Sequence, residues 1–333
     1  MNLRYSAKQF QAQLSTLVLV FLFPLSSVLN LRSSPASSPA RAGAQARITL
    51  ATVLVVVPVK VTDARGKFVT GLKAENFKIY EDGRPQDVTL FKEEDTPVTV
   101  GLIVDHSRSM GPKLPGVITA VTAFAHSSNP GDEMFVVDFN ENVSGELLGG
   151  KPFTSDAAEL EKAVSAVSAR GQTALYDAVI EGLTHVELGH QDKKALVIVS
   201  DGGDNASHSK FSEMLALAQR SHVVIYSIGL IDESGEEETP KILERLSKAT
   251  GGITFFARRN DDVAEISQQI ARDLREQYTL GYKPTEKNGR DSFRKIAVEV
   301  SAPGRGKIHV RTRPGYFPSG VKTQAALPVG ILR

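Results

Sequence analysis

A run of apolar residues that ends in acidic and hydroxyl side chains is the feature that most constrains the fold of this chain. Residues 98–104 are rich in Val, Leu and Ile, a pattern that predicts a strand covered on both faces. Asp105, Ser107 and Ser109 follow directly. Because open α/β sheets bind ligands at the carboxyl ends of their strands, these three side chains are predicted to lie at a binding edge.

Two later segments supply oxygen-bearing side chains in the same way. Thr173 stands in a loop just before a predicted helix, and Asp201 follows a second apolar strand, 195–200, at a glycine-rich turn. Loops of this kind on one rim of a sheet would form a cation site. Carboxylate and hydroxyl oxygens without His or Cys suit Mg²⁺, with Mn²⁺ and Ca²⁺ as alternatives, rather than zinc.

The order and spacing of these residues resemble the von Willebrand factor A domain and its metal-ion-dependent adhesion site (MIDAS). The positions that match the motif are Asp105, Ser107, Ser109, Thr173 and Asp201. The resemblance implies that the two serines contact the ion directly and that the two aspartates act mainly through water. It also implies that Thr173 binds directly once a ligand is present.

Arg108 departs from the motif, because glycine is usual at this position. We interpret Arg108 as a side chain directed to solvent. Two alternatives stay open: the cation could weaken metal binding, or it could help to recruit an acidic ligand.

The pattern between residues 98 and 276 indicates an α/β domain with a doubly wound, mainly parallel sheet. Further strands are predicted at 134–139, 223–229 and 252–256, with a short antiparallel edge strand at 142–148. Apolar residues at helical spacing occur over 114–126, 156–168, 174–188, 209–220, 239–249 and 261–276. Strands that alternate with helices in this way favour a parallel sheet covered on both faces.

Strand patterns also flank this domain on both sides. They cover 54–63, 77–84 and 88–91 before it, and 278–282, 293–300 and 307–311 after it. Each group alone has too few strands to close a core, so we predict that both join in one small β-sandwich that carries the α/β domain as an insertion. The motifs Val-x-Asp-x-x-Gly and Glu-Asp-Gly, with the closing segment 313–317, also resemble bacterial exported proteins with a von Willebrand factor A-related domain.

The amino terminus predicts export from the cytoplasm. Arg4 and Lys8 precede an apolar stretch, 14–29, and a Ser-, Pro- and Ala-rich segment that contains Ala-Gln-Ala at 44–46. This order is typical of a secretory signal peptide and predicts a periplasmic, cell-surface or secreted protein; an uncleaved membrane anchor is the alternative. The chain has no cysteine, which excludes disulfides and a lipid-modified cysteine.

These patterns define the predicted domain boundaries. They are 1–46 for the signal peptide and linker, 47–96 and 277–318 for the two parts of the sandwich, 97–276 for the α/β domain, and 319–333 for a loose tail.

Charge and missing motifs exclude several other functions. The chain has 39 basic and 38 acidic residues, so no electrostatic argument favours nucleic acid. It contains neither the Gly-x-Ser-x-Gly nucleophile elbow nor a Gly-x-x-x-x-Gly-Lys phosphate loop. His106 and His208 flank the metal loops and are interpreted as exposed residues without a role. Asp204 is interpreted as a cap of the turn after Asp201, and Asp177 as a helix-start residue.

The sequence therefore favours a non-enzymatic, exported protein-binding module for adhesion or scaffolding. Its divalent cation would keep an open coordination position for an Asp or Glu of a protein partner. One alternative is a metal-dependent phosphoesterase, although no general base or second metal cluster is recognisable. The other is a structural scaffold whose metal site Arg108 has disabled.

Overall fold

Fourteen strands and six α-helices follow one another along residues 54–93, 95–145, 150–231, 240–284 and 292–318, which the computed structural model describes. The strands are β1 (Val55–Asp63), β2 (Phe77–Glu81), β3 (Arg84–Gln86), β4 (Val88–Lys92), β5 (Val98–Asp105), β6 (Glu133–Phe139), β7 (Val143–Ser144), β8 (Lys193–Ser200), β9 (Val224–Leu230), β10 (Thr254–Ala257), β11 (Tyr278–Tyr282), β12 (Arg294–Val300), β13 (Ile308–Thr312) and β14 (Gly315–Tyr316). The α-helices are α1 (Leu114–His126), α2 (Ala157–Ser165), α3 (Leu175–His185), α4 (Phe211–Arg220), α5 (Pro240–Thr250) and α6 (Asn260–Arg275). The predicted signal peptide, 1–46, and the predicted tail, 319–333, lie outside the described residues.

The central sheet has the strand order β10-β9-β8-β5-β6-β7. Its first five strands are parallel, and β7 pairs antiparallel with β6 at the edge. Helices α1, α2 and α6 contribute to the apolar core on one face, and α3, α4 and α5 to the core on the other. The predicted doubly wound, mainly parallel α/β sheet is therefore confirmed. Of the predicted antiparallel edge strand 142–148, β7 covers Val143–Ser144, and residues 146–148 lie outside the described residues.

The middle strand of this sheet shows why its sequence is so apolar. All eight residues of β5 are buried, because helices cover both of its faces. Gly101 lies in the middle of the strand, and a Cβ there would collide with the side chains of Phe135 and Leu196 from the two neighbouring strands. The glycine thus gives space to larger side chains on either side of it.

Two further sheets form the predicted β-sandwich. They are antiparallel and four-stranded, with the orders β13-β1-β11-β4 and β14-β12-β2-β3. Each of them combines strands that precede the α/β domain with strands that follow it. Val57, Ile79 and Leu280 are among the buried residues of the core that the two sheets share. The sandwich built from amino- and carboxyl-terminal strands is therefore confirmed.

A buried carboxylate links these two groups of strands. Glu81 of β2 is 2% exposed and accepts hydrogen bonds from the hydroxyls of Tyr282 at 2.7 Å and Tyr316 at 2.9 Å. Arg294 of β12 donates to the other oxygen of the same carboxylate at 3.0 Å. All three donors come from strands that follow the α/β domain, so the network joins both ends of the described chain within the sandwich.

Two basic side chains of the sandwich bind groups of the α/β domain. Arg313 is 3% exposed and donates to the carbonyl oxygens of Gln219 at 3.0 Å and Ser221 at 3.1 Å, at the end of α4. Burial lowers the pKa of Arg313 to about 10. The Lys60 ammonium lies 3.2 Å from Asp273 and 2.9 Å from Glu276, which lie in and just after α6. Within the described part of the chain, no helix combines the length and the apolar character that crossing a membrane requires.

We expect Glu81→Gln to destabilise the protein by about 3 kcal/mol, because the change leaves the buried Arg294 guanidinium without its counter-charge. Urea unfolding followed by circular dichroism measures this free energy. Glu299→Gln is the matched control, since Glu299 is exposed and accepts its hydrogen bond from Tyr80 at the surface. An unfolding midpoint of Glu81→Gln equal to that of the wild type would show that the network does not hold the sandwich together.

Candidate metal centre

The first predicted ligand lies where two neighbouring strands of the central sheet end. Asp105 is the last residue of β5 and is completely buried. Ser200, the last residue of β8, donates a hydrogen bond of 2.6 Å from its hydroxyl to Asp105 Oδ2. The Ser200 oxygen in turn accepts a hydrogen bond of 2.9 Å from the backbone of Gly202. The sequence analysis missed Ser200, because a serine at a strand end carries no distinguishing pattern.

The loop after β5 brings the two predicted serines to this carboxylate. The Ser107 backbone N–H donates to Asp105 Oδ1 at 2.8 Å, which turns the chain back over the strand end. The hydroxyl oxygens of Ser107 and Ser109 are 3.2 Å apart. Ser107 is 1% exposed, whereas Ser109 lies on the surface. One carboxylate and two hydroxyls therefore converge at the carboxyl edge of the sheet.

Backbone hydrogen bonds join this loop to the segment that carries Thr173. The Arg108 N–H donates to the Gly171 carbonyl at 3.3 Å. Gly171 has a positive φ of 74°, and a Cβ at this position would collide with the Glu141 carboxylate, so the turn requires glycine. Thr173 is 5% exposed and follows this turn directly.

The Thr173 backbone also binds the loop after β8. Its N–H donates to the Asn205 side chain at 2.8 Å, and its carbonyl accepts from the backbone N–H groups of Asn205 at 2.9 Å and Ala206 at 3.0 Å. Asp201 begins this same loop. The three loops that carry the five predicted ligands are therefore connected by hydrogen bonds along one rim.

Asp201 is the more accessible of the two carboxylates, with a side chain 20% exposed. Its Oδ1 accepts a hydrogen bond of 3.4 Å from the Gly203 backbone. Its Oδ2 lies 3.6 Å from the ammonium of Lys113, a residue that the sequence analysis missed. Nothing in the sequence around Lys113 distinguishes it from a surface lysine.

The donor chemistry of this rim fits a hard divalent cation. The predicted set consists of two carboxylates and three hydroxyls, all of which offer oxygen. No group of three or more His, Asp or Glu side chains able to hold a metal occurs in the residues that the structure describes, at this rim or outside it. A metal centre in this part of the chain would thus depend on hydroxyl ligands. Metal binding by Asp105, Ser107, Ser109, Thr173 and Asp201 stays a prediction.

Comparison with known protein families agrees with this architecture. The family model of the von Willebrand factor type A domain matches residues 100–269, which is more than half of the chain. The chain belongs to this family. No curated protein sequence matches it significantly.

The chain is similar to several solved structures. A von Willebrand factor type A protein from Catenulispora acidiphila is 13% identical, with 73% of each chain covered and a TM-score of 0.50. The corresponding domain of the type V pili tip protein Mfa5 from Porphyromonas gingivalis is 13% identical over 54% of this chain and 95% of its own, with a TM-score of 0.45. Proximal thread matrix protein 1 from the mussel byssus, described with a zinc-occupied MIDAS motif, is 17% identical over 60% of this chain and 50% of its own, with a TM-score of 0.48.

The surroundings of Asp105 at this rim shift the pKa of its carboxyl group. Burial raises the pKa of this carboxyl, hydrogen bonds from Ser107 and Ser200 lower it, and the charge of Asp201 raises it further. The net effect is a pKa above the usual range, so the ionised form is costly at neutral pH. A cation at this rim would offset that cost.

His106 corrects one interpretation of the sequence. It was expected to be exposed, yet it is completely buried. Its Nδ1 lies 3.2 Å from Asp138 Oδ1, and its Nε2 lies 3.2 Å from the carbonyl oxygen of Val164 in α2. Burial raises the pKa of Asp138, and the neighbouring His106 lowers it. His106 therefore supports the loop from beneath instead of facing solvent.

Asp204 lies in the loop after Asp201, and its hydrogen bonds extend beyond that loop. Its carboxylate accepts hydrogen bonds from the Ser207 hydroxyl at 2.6 Å and from the Tyr176 backbone at 3.2 Å, in the first turn of α3. Asp177 is a helix-start residue as expected, and it accepts hydrogen bonds from the backbone of the exposed His208 and of Ser209. Arg108 is exposed, in agreement with a side chain directed to solvent.

We expect the wild type in EDTA to lose stability as pH rises above the ordinary carboxyl pKa, and Asp105→Asn, which does not titrate, to lack this part of the pH dependence. Because the folded-state pKa of Asp105 lies above its unfolded value, the folded protein holds this proton more tightly. Rising pH therefore lowers stability between the ordinary value of 3.8 and the raised one. Urea unfolding at several pH values measures the effect.

The same variant should lose the stabilisation by Mg²⁺, which at ten times Kd amounts to about 1.4 kcal/mol for the wild type. Asp192→Asn is the control, since that side chain is 95% exposed and should change neither quantity. An Asp105→Asn protein that keeps the wild-type pH dependence in EDTA and still responds to Mg²⁺ would contradict this account of the centre.

Proposed function

We propose that this chain is an exported von Willebrand A protein that binds acidic protein partners through a divalent cation, with Mg²⁺ as the first choice. The observation that carries the proposal is the convergence of the buried Asp105 carboxylate with the hydroxyls of Ser107 and Ser109 at a rim that solvent reaches. Thr173 and Asp201 lie on the two loops that are hydrogen-bonded into the same rim.

The number of carboxylates supports a role in binding another protein. Two carboxylates and three hydroxyls offer less negative charge than the carboxylate-rich cages that hold Ca²⁺ tightly. A divalent ion held by such a set would keep a net positive charge and favour an additional anionic ligand. An Asp or Glu side chain of a partner meets that requirement.

The extracytoplasmic part of the proposal depends on the amino-terminal sequence. Residues 1–46 carry the signal-peptide pattern. The domain boundaries proposed from the sequence place the von Willebrand A domain at 97–276, between the two parts of the sandwich.

One histidine of the candidate centre is unsuited to the phosphoesterase alternative. His106, which lies between Asp105 and Ser107 in the sequence, is buried with its Nε2 against the Val164 carbonyl. A general base has to reach the proton that it removes, and this imidazole does not reach solvent. The absence of phosphatase activity from the purified protein in Mg²⁺ or Mn²⁺ would agree with a binding role.

We expect a partner captured from the native envelope fraction to be released by EDTA and to bind again when Mg²⁺ is restored. Ser107→Ala and Thr173→Ala should each weaken this capture at least tenfold, because they remove oxygen ligands without changing the net charge. Quantitative pull-down on the immobilised full chain measures the loss.

Thr119→Ala is the matched control, since its exposed hydroxyl on α1 donates only to the backbone of its own helix. Partner binding that survives EDTA and both substitutions would refute the metal-dependent mechanism. It would then favour the scaffold alternative, with the interaction on the β-sandwich.

A further inference from the structure

A buried lysine reaches into the candidate metal centre from the helix that follows its first loop. Lys113 is the last residue of the 3₁₀-helix Arg108–Lys113, and its side chain is 11% exposed. Its Nζ lies 3.6 Å from Asp201 Oδ2 and donates to the carbonyl oxygen of Leu230 at 3.3 Å. A positive charge of the protein therefore lies beside one of the five candidate ligands.

The fold holds the ammonium in this position. The 3₁₀-helix directly continues the loop of Ser107 and Ser109, and Met110 anchors it with a completely buried side chain. Leu230 ends β9, and Asp201 follows the end of the neighbouring β8. Lys113 thus extends along the carboxyl edge from the β5 loop to the end of β9. Its aliphatic stem is buried, so the ammonium has little freedom to move away from Asp201.

We propose that Lys113 is a built-in counter-ion of Asp201 that sets the divalent-cation affinity of this centre. The inference rests on the proposed function and adds a residue outside the five-residue motif. In the absence of a divalent ion, the ammonium reduces the repulsion between the carboxylates of Asp201 and Asp105. When a divalent ion binds, the Lys113 ammonium repels it, because both are positively charged. Water screens this repulsion only weakly, since the side chains of Lys113 and Asp201 are largely buried.

This arrangement has a consequence for function. A counter-ion that stabilises the centre without metal must weaken metal binding, since the ion has to compete with a charge that is already present. Partner binding would then require a higher divalent-ion concentration than a centre with the same five ligands and no lysine. Lys113 determines where that range lies.

The test measures Mn²⁺ binding to the full chain by isothermal titration calorimetry at pH 7. Lys113→Gln removes the charge and keeps a donor for the Leu230 carbonyl, whereas Lys113→Met removes both. We expect each to bind Mn²⁺ about tenfold more tightly than the wild type, and Lys113→Arg to stay within about threefold of it. Lys151→Met is the matched control, because Lys151 pairs with Glu159 on the surface of the same domain and should leave Mn²⁺ affinity unchanged.

A second measurement needs no metal. Urea unfolding in EDTA of Lys113→Gln, Asp201→Asn and the double variant gives the coupling between the two charges. We expect Lys113→Gln to shift the unfolding midpoint down in the wild-type background and to shift it much less in the Asp201→Asn background. Equal shifts in both backgrounds would overturn the counter-ion role.

The outcomes separate this inference from the proposed function. If the wild type binds Mn²⁺ and folded Lys113→Gln binds it equally or more weakly, the role of Lys113 in setting affinity is wrong, and the metal centre stands. If neither protein binds Mn²⁺, Mg²⁺ or Ca²⁺, both the metal centre and the affinity role fail. Tighter binding by both neutral variants, with the charge coupling present in EDTA, supports the inference.

Discussion

The antiparallel pairing of β4 with β11 is the constraint on which the rest of the structure depends. These strands lie immediately before and after the von Willebrand A domain in the chain, and their register sets Lys92 opposite Thr279 and Phe91 opposite Leu280. The pairing brings the beginning and the end of a segment of nearly two hundred residues close together. The loop-closure cost of an insertion of this length grows only slowly with its size, and the sandwich core offsets that cost.

Charged contacts transmit this constraint to the strand that carries the candidate metal centre. Asp132 is 4% exposed, and its carboxylate accepts hydrogen bonds from the backbone of Val98 at 3.0 Å and from Arg275 at 3.4 Å. Val98 begins β5 and Arg275 ends α6, so one carboxylate binds both ends of the inserted domain. With its beginning held in this way and its middle packed between neighbouring strands, β5 presents Asp105 at a fixed height on the opposite edge. The contacts of Asp132 therefore hold the start of the strand that carries the first candidate ligand.

The spacing of apolar residues in the sequence predicted the strands, the helices and the edge where the candidate ligands lie. It did not predict which individual polar residues are buried. The apolar runs before Asp105 and Asp201 leave few alternatives to buried parallel strands, and parallel neighbours end at the same edge. His106 was misinterpreted because its neighbours are polar. His106 follows the end of β5, and its buried side chain lies against Asp138 and the Val164 carbonyl of α2. Lys113 and Ser200 escaped for another reason: their partners come from distant strands, and local spacing carries no information about them.

Two buried carboxylates in this chain differ in a way that indicates their roles. Glu81 in the sandwich is matched by the Arg294 guanidinium and by two tyrosine hydroxyls, which together satisfy its charge. Asp105 accepts hydrogen bonds from neutral groups of Ser107 and Ser200, and the charge of Asp201 raises its pKa further. The first arrangement is complete and stabilises a core. In the second, the two carboxylates share a rim, and the ammonium of Lys113 lies 3.6 Å from Asp201. Residual negative charge at a solvent-reaching edge is what a divalent ion would neutralise, and this difference supports a binding role for the second carboxylate and a structural role for the first.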